Sequence, residues 1–237
     1  MHYRLETIDA LTPRELERMF ELMTRHYWNV DRDVFRGDLC EKSWVILLED
    51  DITETVQGFS TQQVYRTEHE GRMVNIVFSG DTIIAREHWG SQQLPLAFGR
   101  MMLSILDRDP DTPLYWFLIS KGHRTYRYLP VFYRRFYPGC QWPTPSREQG
   151  LMDRLARTKF GPAYDEARGV VRAMDVAQKL EPELAHIDPG KAEKDPHIRF
   201  FLERNPDYAE GEELVCLAPF YRENLKPFIL RQLEQEA

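Results

Sequence analysis

Apolar residues recur at helical spacing through Leu16, Met19, Phe20, Met23 and Tyr27, which predicts a helix with one buried stripe. It should open at Thr12, an N-cap followed by Pro13 at the first helical position and by Glu15 closing a capping box. A second, shorter helix is expected over residues 31–41, with Val34, Phe35 and Leu39 on its inner face. The pattern then changes. Residues 44–48 are apolar at every position, which suits a strand covered on both faces, and Asp50-Asp51 ends it. Residues 56–65 read as its hairpin partner. A third strand, 73–84, alternates through Val74, Ile76 and Phe78 until Gly80-Asp81.

After Trp89-Gly90 the period lengthens to nearly four: Leu94, Phe98, Met101, Met102, Ile105 and Leu106 share a helix face. Ser91 is its expected N-cap, and Pro95 lies in the first turns, where it is tolerated. A turn over 107–113 leads to a second fully buried strand, 114–119, and then to a helix over 123–135 that Pro130 should bend or split. Pro138, Gly139, Pro143 and Pro145 mark a loop, and a helix follows over 147–159. Residues 188–196 have the composition of a solvated linker. Two apolar bursts, 198–202 and 214–218, read as a closing hairpin, and 221–236 as a terminal helix.

With 237 residues there is enough chain for one large domain or two small ones, and 42% hydrophobic residues argue against disorder. The net charge of -7 is a poor basis for wrapping nucleic acid. No apolar run approaches the roughly 20 residues that span a bilayer, and the first residues lack the look of a secretory signal, so the reading is a soluble, cytoplasmic protein. Cys40, Cys140 and Cys216 are far apart and lack metal spacing, which reads as three reduced thiols and no metal site. No HExxH, GxSxG or P-loop pattern occurs.

Two helices, three antiparallel strands, a helix, a buried strand, a helix and a closing hairpin make a succession that resembles the GNAT superfamily of acyl-CoA-dependent N-acyltransferases. At residue level the resemblance rests on residues 73–138. It implies an α/β (α+β) fold with a mixed, mostly antiparallel central sheet flanked by helices, and a helical insertion before the C-terminal hairpin. Residues 1–145 would form the GNAT-like core, and 146–237 the insertion, hairpin and last helix, all within one structural domain. The resemblance also implies an acyl donor held by Phe78 and Ser79 on the third strand and by the loop His88-Trp89-Gly90-Ser91-Gln92. There the donor's pyrophosphate would sit on a helix N-terminus, where unpaired N–H groups and the helix dipole favour an anion. Gln92 stands where the family has a second small residue, and a side chain there crowds a pyrophosphate. A phosphopantetheine donor on an acyl carrier protein is therefore the alternative to acyl-CoA. Tyr133 falls near the family's tyrosine that protonates the leaving thiolate, and it is equally a packing residue by its aromatic surroundings.

The charge is unevenly spread. Between Asp111 and Glu148 no carboxylate occurs, and Lys121, Arg124, Arg127, Arg134, Arg135 and Arg147 give the segment +6. Such a stretch could steer an anionic donor or an acidic carrier protein, with Lys121, His123, Arg124 and Arg127 as contacts; the plain alternative is a face whose cations meet carboxylates from elsewhere in the fold. An amine acceptor must lose a proton before it attacks, and Asp81 and His88 are the expected bases, with His26 a third. The expectation is thus transfer of an acyl group from a thioester to an amine on a small molecule or peptide. A non-catalytic binding module of the same fold, and an unrelated enzyme using Cys140 or Cys216, are the other readings.

Overall fold

The computed structural model describes residues 1–173 and 178–235. In chain order the elements are β1 (His2–Thr7), α1 (Pro13–His26), β2 (Tyr27–Trp28), α2 (Arg32–Cys40), β3 (Trp44–Glu49), β4 (Val56–His69), β5 (Arg72–Ile84), α3 (Gln93–Arg108) and β6 (Leu114–Ser120). There follow α4 (His123–Tyr126), α5 (Tyr128–Phe132), α6 (Ser146–Phe160), β7 (Tyr164–Asp165), β8 (Val170–Val171), β9 (Lys179–Leu180), α7 (Pro182–Ala185), α8 (Pro189–Lys194), α9 (Pro196–Arg204), β10 (Glu213–Phe220) and α10 (Pro227–Glu234). They form two compact units. One is made of Met1–His26, Val30–Leu114 and Pro227–Ala237; the other of Tyr27–Asn29 and Tyr115–Lys226.

In the first unit the strands run β1-β3-β4-β5, antiparallel throughout. The expected capping box starts α1: Glu15 N–H donates to Thr12 Oγ1 at 3.3 Å, and Thr12 N–H donates to Glu15 Oε2 at 2.6 Å. Asp31 caps α2 by accepting from the N–H groups of Asp33 and Val34. Val45 to Leu48 are fully buried, as a strand covered on both faces must be. Ile46 and Leu48 pack with Leu94 and Ala97 of α3. β1 is an edge strand that the hydrophobic pattern does not predict, because Leu5 stays exposed and Tyr3 half-buried.

In the second unit β6 neighbours β10, which pairs antiparallel with β8, and β8 with β7. Val215 to Ala218 and Phe117 form a fully buried centre. Two expectations fail here. Residues 198–202 are helical, inside α9, so the closing hairpin lacks its first strand and β10 pairs instead with the two-residue β8. Residues 188–196 are also not a linker: Asp188 caps α8, and Asp195 caps α9 by accepting from His197 and Ile198 N–H. The helix expected over 123–135 breaks at Arg127, before Pro130, into α4 and α5. The terminal helix is shorter than 221–236, and Glu236 lies outside the described residues.

Asn224 ties this unit's loops together. Its buried amide accepts from Arg135 N–H at 2.7 Å and donates to the carbonyls of Arg135 and Pro219. Asn224→Ala strands three backbone groups and is expected to cost about 2 kcal/mol, read as a drop in unfolding free energy by urea denaturation.

Candidate functional site

The first unit carries a strand, a turn and a helix start that bring most of the sequence-predicted residues onto one stretch of chain. β5 does not pair evenly with β4. Thr82 lies opposite Ser60 and Ser79 opposite Gln62, so Gly80 and Asp81 together face Thr61 alone. Two residues against one is a β-bulge, which bends the strand and re-aims a side chain. Gly80 and Asp81 are the two bulge residues, and Asp81 is partly exposed.

The bulge demands its glycine. A Cβ on Gly80 would lie 2.7 Å from both Lys42 Cε and Thr61 Oγ1. The Lys42 side chain is fully buried, with its ammonium 2.6 Å from Asp38 Oδ2 and 2.8 Å from the Asp38 carbonyl. It also lies 5.9 Å from the centre of the Phe78 ring. Around the bulge runs a chain of polar groups: Gln62 Nε2 donates to Ser60 Oγ, which shares a hydrogen bond with Thr82 Oγ1. Thr61 Oγ1 and Gln62 Oε1 are buried and have no hydrogen-bond partner among the described residues. An unsatisfied buried polar atom costs about 1–3 kcal/mol, a cost that a water or a polar ligand reaching it would offset.

Twelve residues after Asp81 the chain reaches the start of α3. His88 N–H donates to Ala85 O, and Ser91 N–H to His88 O, across a single 3-10 turn, Arg86–His88. Gly90 takes φ +96°, and a Cβ there would meet nothing within 4 Å. Its role is therefore conformational. Gly90→Ala is expected to cost about 1–2 kcal/mol from the left-handed backbone alone, measured as a lowered melting temperature without any steric clash. The expected cap is displaced by one residue: Gln92 is the N-cap by backbone, while Ser91 Oγ accepts from Gln93 N–H at 3.3 Å. Gln92 Nε2 folds back to donate to the Gly90 carbonyl, and Pro95 contributes no N–H to the first turn.

His26 is not available as a base. Its Nδ1 lies 2.8 Å from Leu22 O and its Nε2 3.1 Å from Ile84 O, so both ring nitrogens face backbone carbonyls in a buried setting.

The other predicted residues belong to the second unit, and most have internal partners there. Tyr133 is buried between the rings of Trp116 and Phe220, at 5.7 and 6.3 Å, and burial pushes its phenol well above the usual tyrosine range. That is the packing alternative. Lys121 pairs with Glu213 at 3.2 Å and lies over the Tyr27 ring, Arg127 pairs with Asp195 at 3.2 Å, and Arg124 donates to Leu184 O. Arg135 stacks on Trp142. The +6 segment is in good part spent on contacts inside the fold. His123 is buried, and desolvation with Arg124 and Arg127 nearby lowers it to about 4; neutral at pH 7, it offers an anion no charge. Tyr126 is a core residue whose hydroxyl donates to Pro138 O at 2.9 Å.

Among the described residues no group of three or more His, Cys, Asp or Glu side chains could hold a metal ion, and no helix is long and apolar enough to cross a membrane. No family model matches the sequence, and no curated protein matches it. Solved structures similar to it include a probable N-acyltransferase from Enterococcus faecalis, at 15% identity over 57% of this chain and 33% of that one, with TM-score 0.40. Saccharomyces cerevisiae N-myristoyltransferase with bound myristoyl-CoA is similar at 12% identity over 50% and 31% of the two chains, with TM-score 0.39. A GNAT family N-acetyltransferase from Escherichia coli in complex with CoA is similar at 13% identity, over 56% and 69%, with TM-score 0.37. The match takes in only about a third of the first two proteins. From α1 to α5 the chain runs through two helices with the two-residue β2 between them, three antiparallel strands, a helix, a buried strand and a broken helix, close to the succession expected from the sequence.

Proposed function

We propose that the chain is a divergent GNAT-like acyltransferase that moves an acyl group from acyl-CoA, or from a phosphopantetheine on a carrier protein, to an amine of a small molecule or peptide. The observation that carries this reading is the continuous stretch Gly80–Gln93, where a β-bulge with buried unsatisfied oxygens beside it leads to a helix start set by a left-handed glycine. The bulge suits a polar acyl group and its attacking amine. The start of α3 suits phosphate. Asp81 is the proposed base and His88 the second choice; Phe78 and Ser79 flank the donor, and Gly90, Ser91 and Gln92 carry its phosphates. The amine loses its proton to the base, its nitrogen attacks the thioester carbonyl, and the donor thiol leaves with a proton; no metal is needed.

Acetyl-CoA and a longer acyl-CoA, each well above micromolar concentration, are expected to raise the melting temperature, because a ligand of the native state stabilises it. Gln92→Gly, which removes the side chain lying over the Gly90 carbonyl, is expected to enlarge that shift. The second reading, a binding module without catalysis, is favoured by the buried Tyr133. It predicts the same thermal shift but no thiol release with any amine.

A further inference from the structure

The second unit holds a pairing that the sequence separates by 57 positions. Cys140 Sγ lies 3.3 Å from His197 Nδ1. Each partner is held by the backbone. Cys140 sits in the turn closed by the Gly139–Trp142 bridge. The chain leading into that turn is anchored by reciprocal 2.7 Å hydrogen bonds between Tyr137 and Leu217 and by the Tyr126 hydroxyl on Pro138 O. His197 lies in the first turn of α9, where Asp195 Oδ1 accepts its N–H at 2.9 Å, and its ring meets Phe136 at 5.9 Å. The thiol is exposed and the imidazole half-buried. A nucleophile and a base within hydrogen-bond reach, both on fixed backbone, are the ingredients of covalent catalysis.

We propose that Cys140 and His197 form a nucleophile–base pair that accepts an acyl group from a thioester, making Cys140 a covalent acyl-carrying site. The choice of a thioester as electrophile rests on the acyl-donor reading above. Sγ attacks the thioester carbonyl while its proton passes to Nδ1. The donor carbon–sulfur bond breaks, the departing thiolate takes that proton, and Cys140 is left as an S-acyl thioester. Nothing is oxidised or reduced.

The charged groups around the pair are Asp195, Arg199 and Glu203 toward Cys140, and Asp195, Lys226 and Arg127 toward His197. Desolvation raises the thiol and lowers the imidazole, so the resting pair is thiol and neutral imidazole. Its reactive tautomer, thiolate and imidazolium, has the same proton count. The tautomer's population therefore does not vary with pH between the two titrations.

This gives a signature that exposure alone cannot produce. Wild-type protein is treated with iodoacetamide from about pH 6 to about pH 8, and each thiol is followed by peptide mass mapping. Cys40, exposed in the first unit, is the internal comparison. An ordinary thiol reacts about tenfold faster per pH unit below its pKa. Cys140 is expected to gain rate less steeply with pH than Cys40, and to regain the ordinary slope in His197→Gln. With acetyl-CoA, Cys140 is expected to gain an acetyl group, removable by hydroxylamine, faster than Cys40 does. A Cys140 rate that climbs in parallel with that of Cys40, or equal acetylation of the two, overturns the proposal. Labelled Cys140 in a protein that transfers nothing to amines removes the N-acyltransferase reading and leaves the pair standing. An unlabelled Cys140 alongside working amine transfer removes the pair.

Discussion

Replacing Asp81 by Asn is expected to lower acyl transfer about 10²-fold, the usual worth of a positioned general base, with little change in acyl-CoA binding. Asp81 is the one ionisable residue of the two that β5 sets against Thr61. Asn keeps its shape and its capacity to accept a hydrogen bond, so a residue with only a turn-forming role would tolerate the change. Turnover and KM measured by thiol release separate the cases. A fall in kcat with KM and melting temperature preserved supports the base. Unchanged kcat assigns the proton to another group, and His88→Gln is then the informative variant.

The second large effect is on stability below neutral pH. His123 is held neutral by burial and by the cations of Arg124, Arg127 and Lys191, with its pKa lowered from 6.5 to about 4. Between those values the unfolded chain binds a proton that the folded chain refuses. Stability from this group is therefore fully present above the unfolded value and declines as pH falls toward about 4. The full loss is about 3 kcal/mol at roughly 1.4 kcal/mol per pKa unit. His197 is lowered as well and acts in the same direction. His123→Gln titrates in neither state, so its unfolding free energy should decline less steeply over this range. Parallel declines for wild type and variant would show that His123 titrates alike in both states.

Much of the first unit was legible because its signals are local. Thr12, Pro13 and Glu15 state a helix start within four positions, and the capping box forms as expected. The all-apolar run over 44–48 suits a covered strand, and Val45 to Leu48 are fully buried. The bulge could not be read: one extra residue in β5 depends on which residue of β4 lies opposite, and side-chain type does not encode that offset. Asp188-Pro189 and Asp195-Pro196 are a different case. Each is an N-cap followed by proline in the first turn, a signal outweighed in the reading by the polar composition between them and by the aromatic burst of Phe200 and Phe201. For the basic segment the sequence left steering and internal pairing both open, because charge along a chain says nothing of partners across it; Glu213 and Asp195 meet Lys121 and Arg127 from 92 and 68 positions away. For the same reason the sequence offers Cys140 as a possible nucleophile but gives no sign of His197 beside it.

The central claim is that an acyl donor lies along Gly80–Gln93, with its phosphates on the start of α3. Backbone amide resonances followed during titration with CoA test this most directly. The account predicts that the amides of Gly90, Ser91, Gln92 and Gln93 shift most, that those of Gly80 and Asp81 move when acetyl-CoA replaces CoA, and that Gln92→Gly strengthens the response. Saturating CoA that leaves these amides in place, or that shifts only residues elsewhere in the chain, contradicts it.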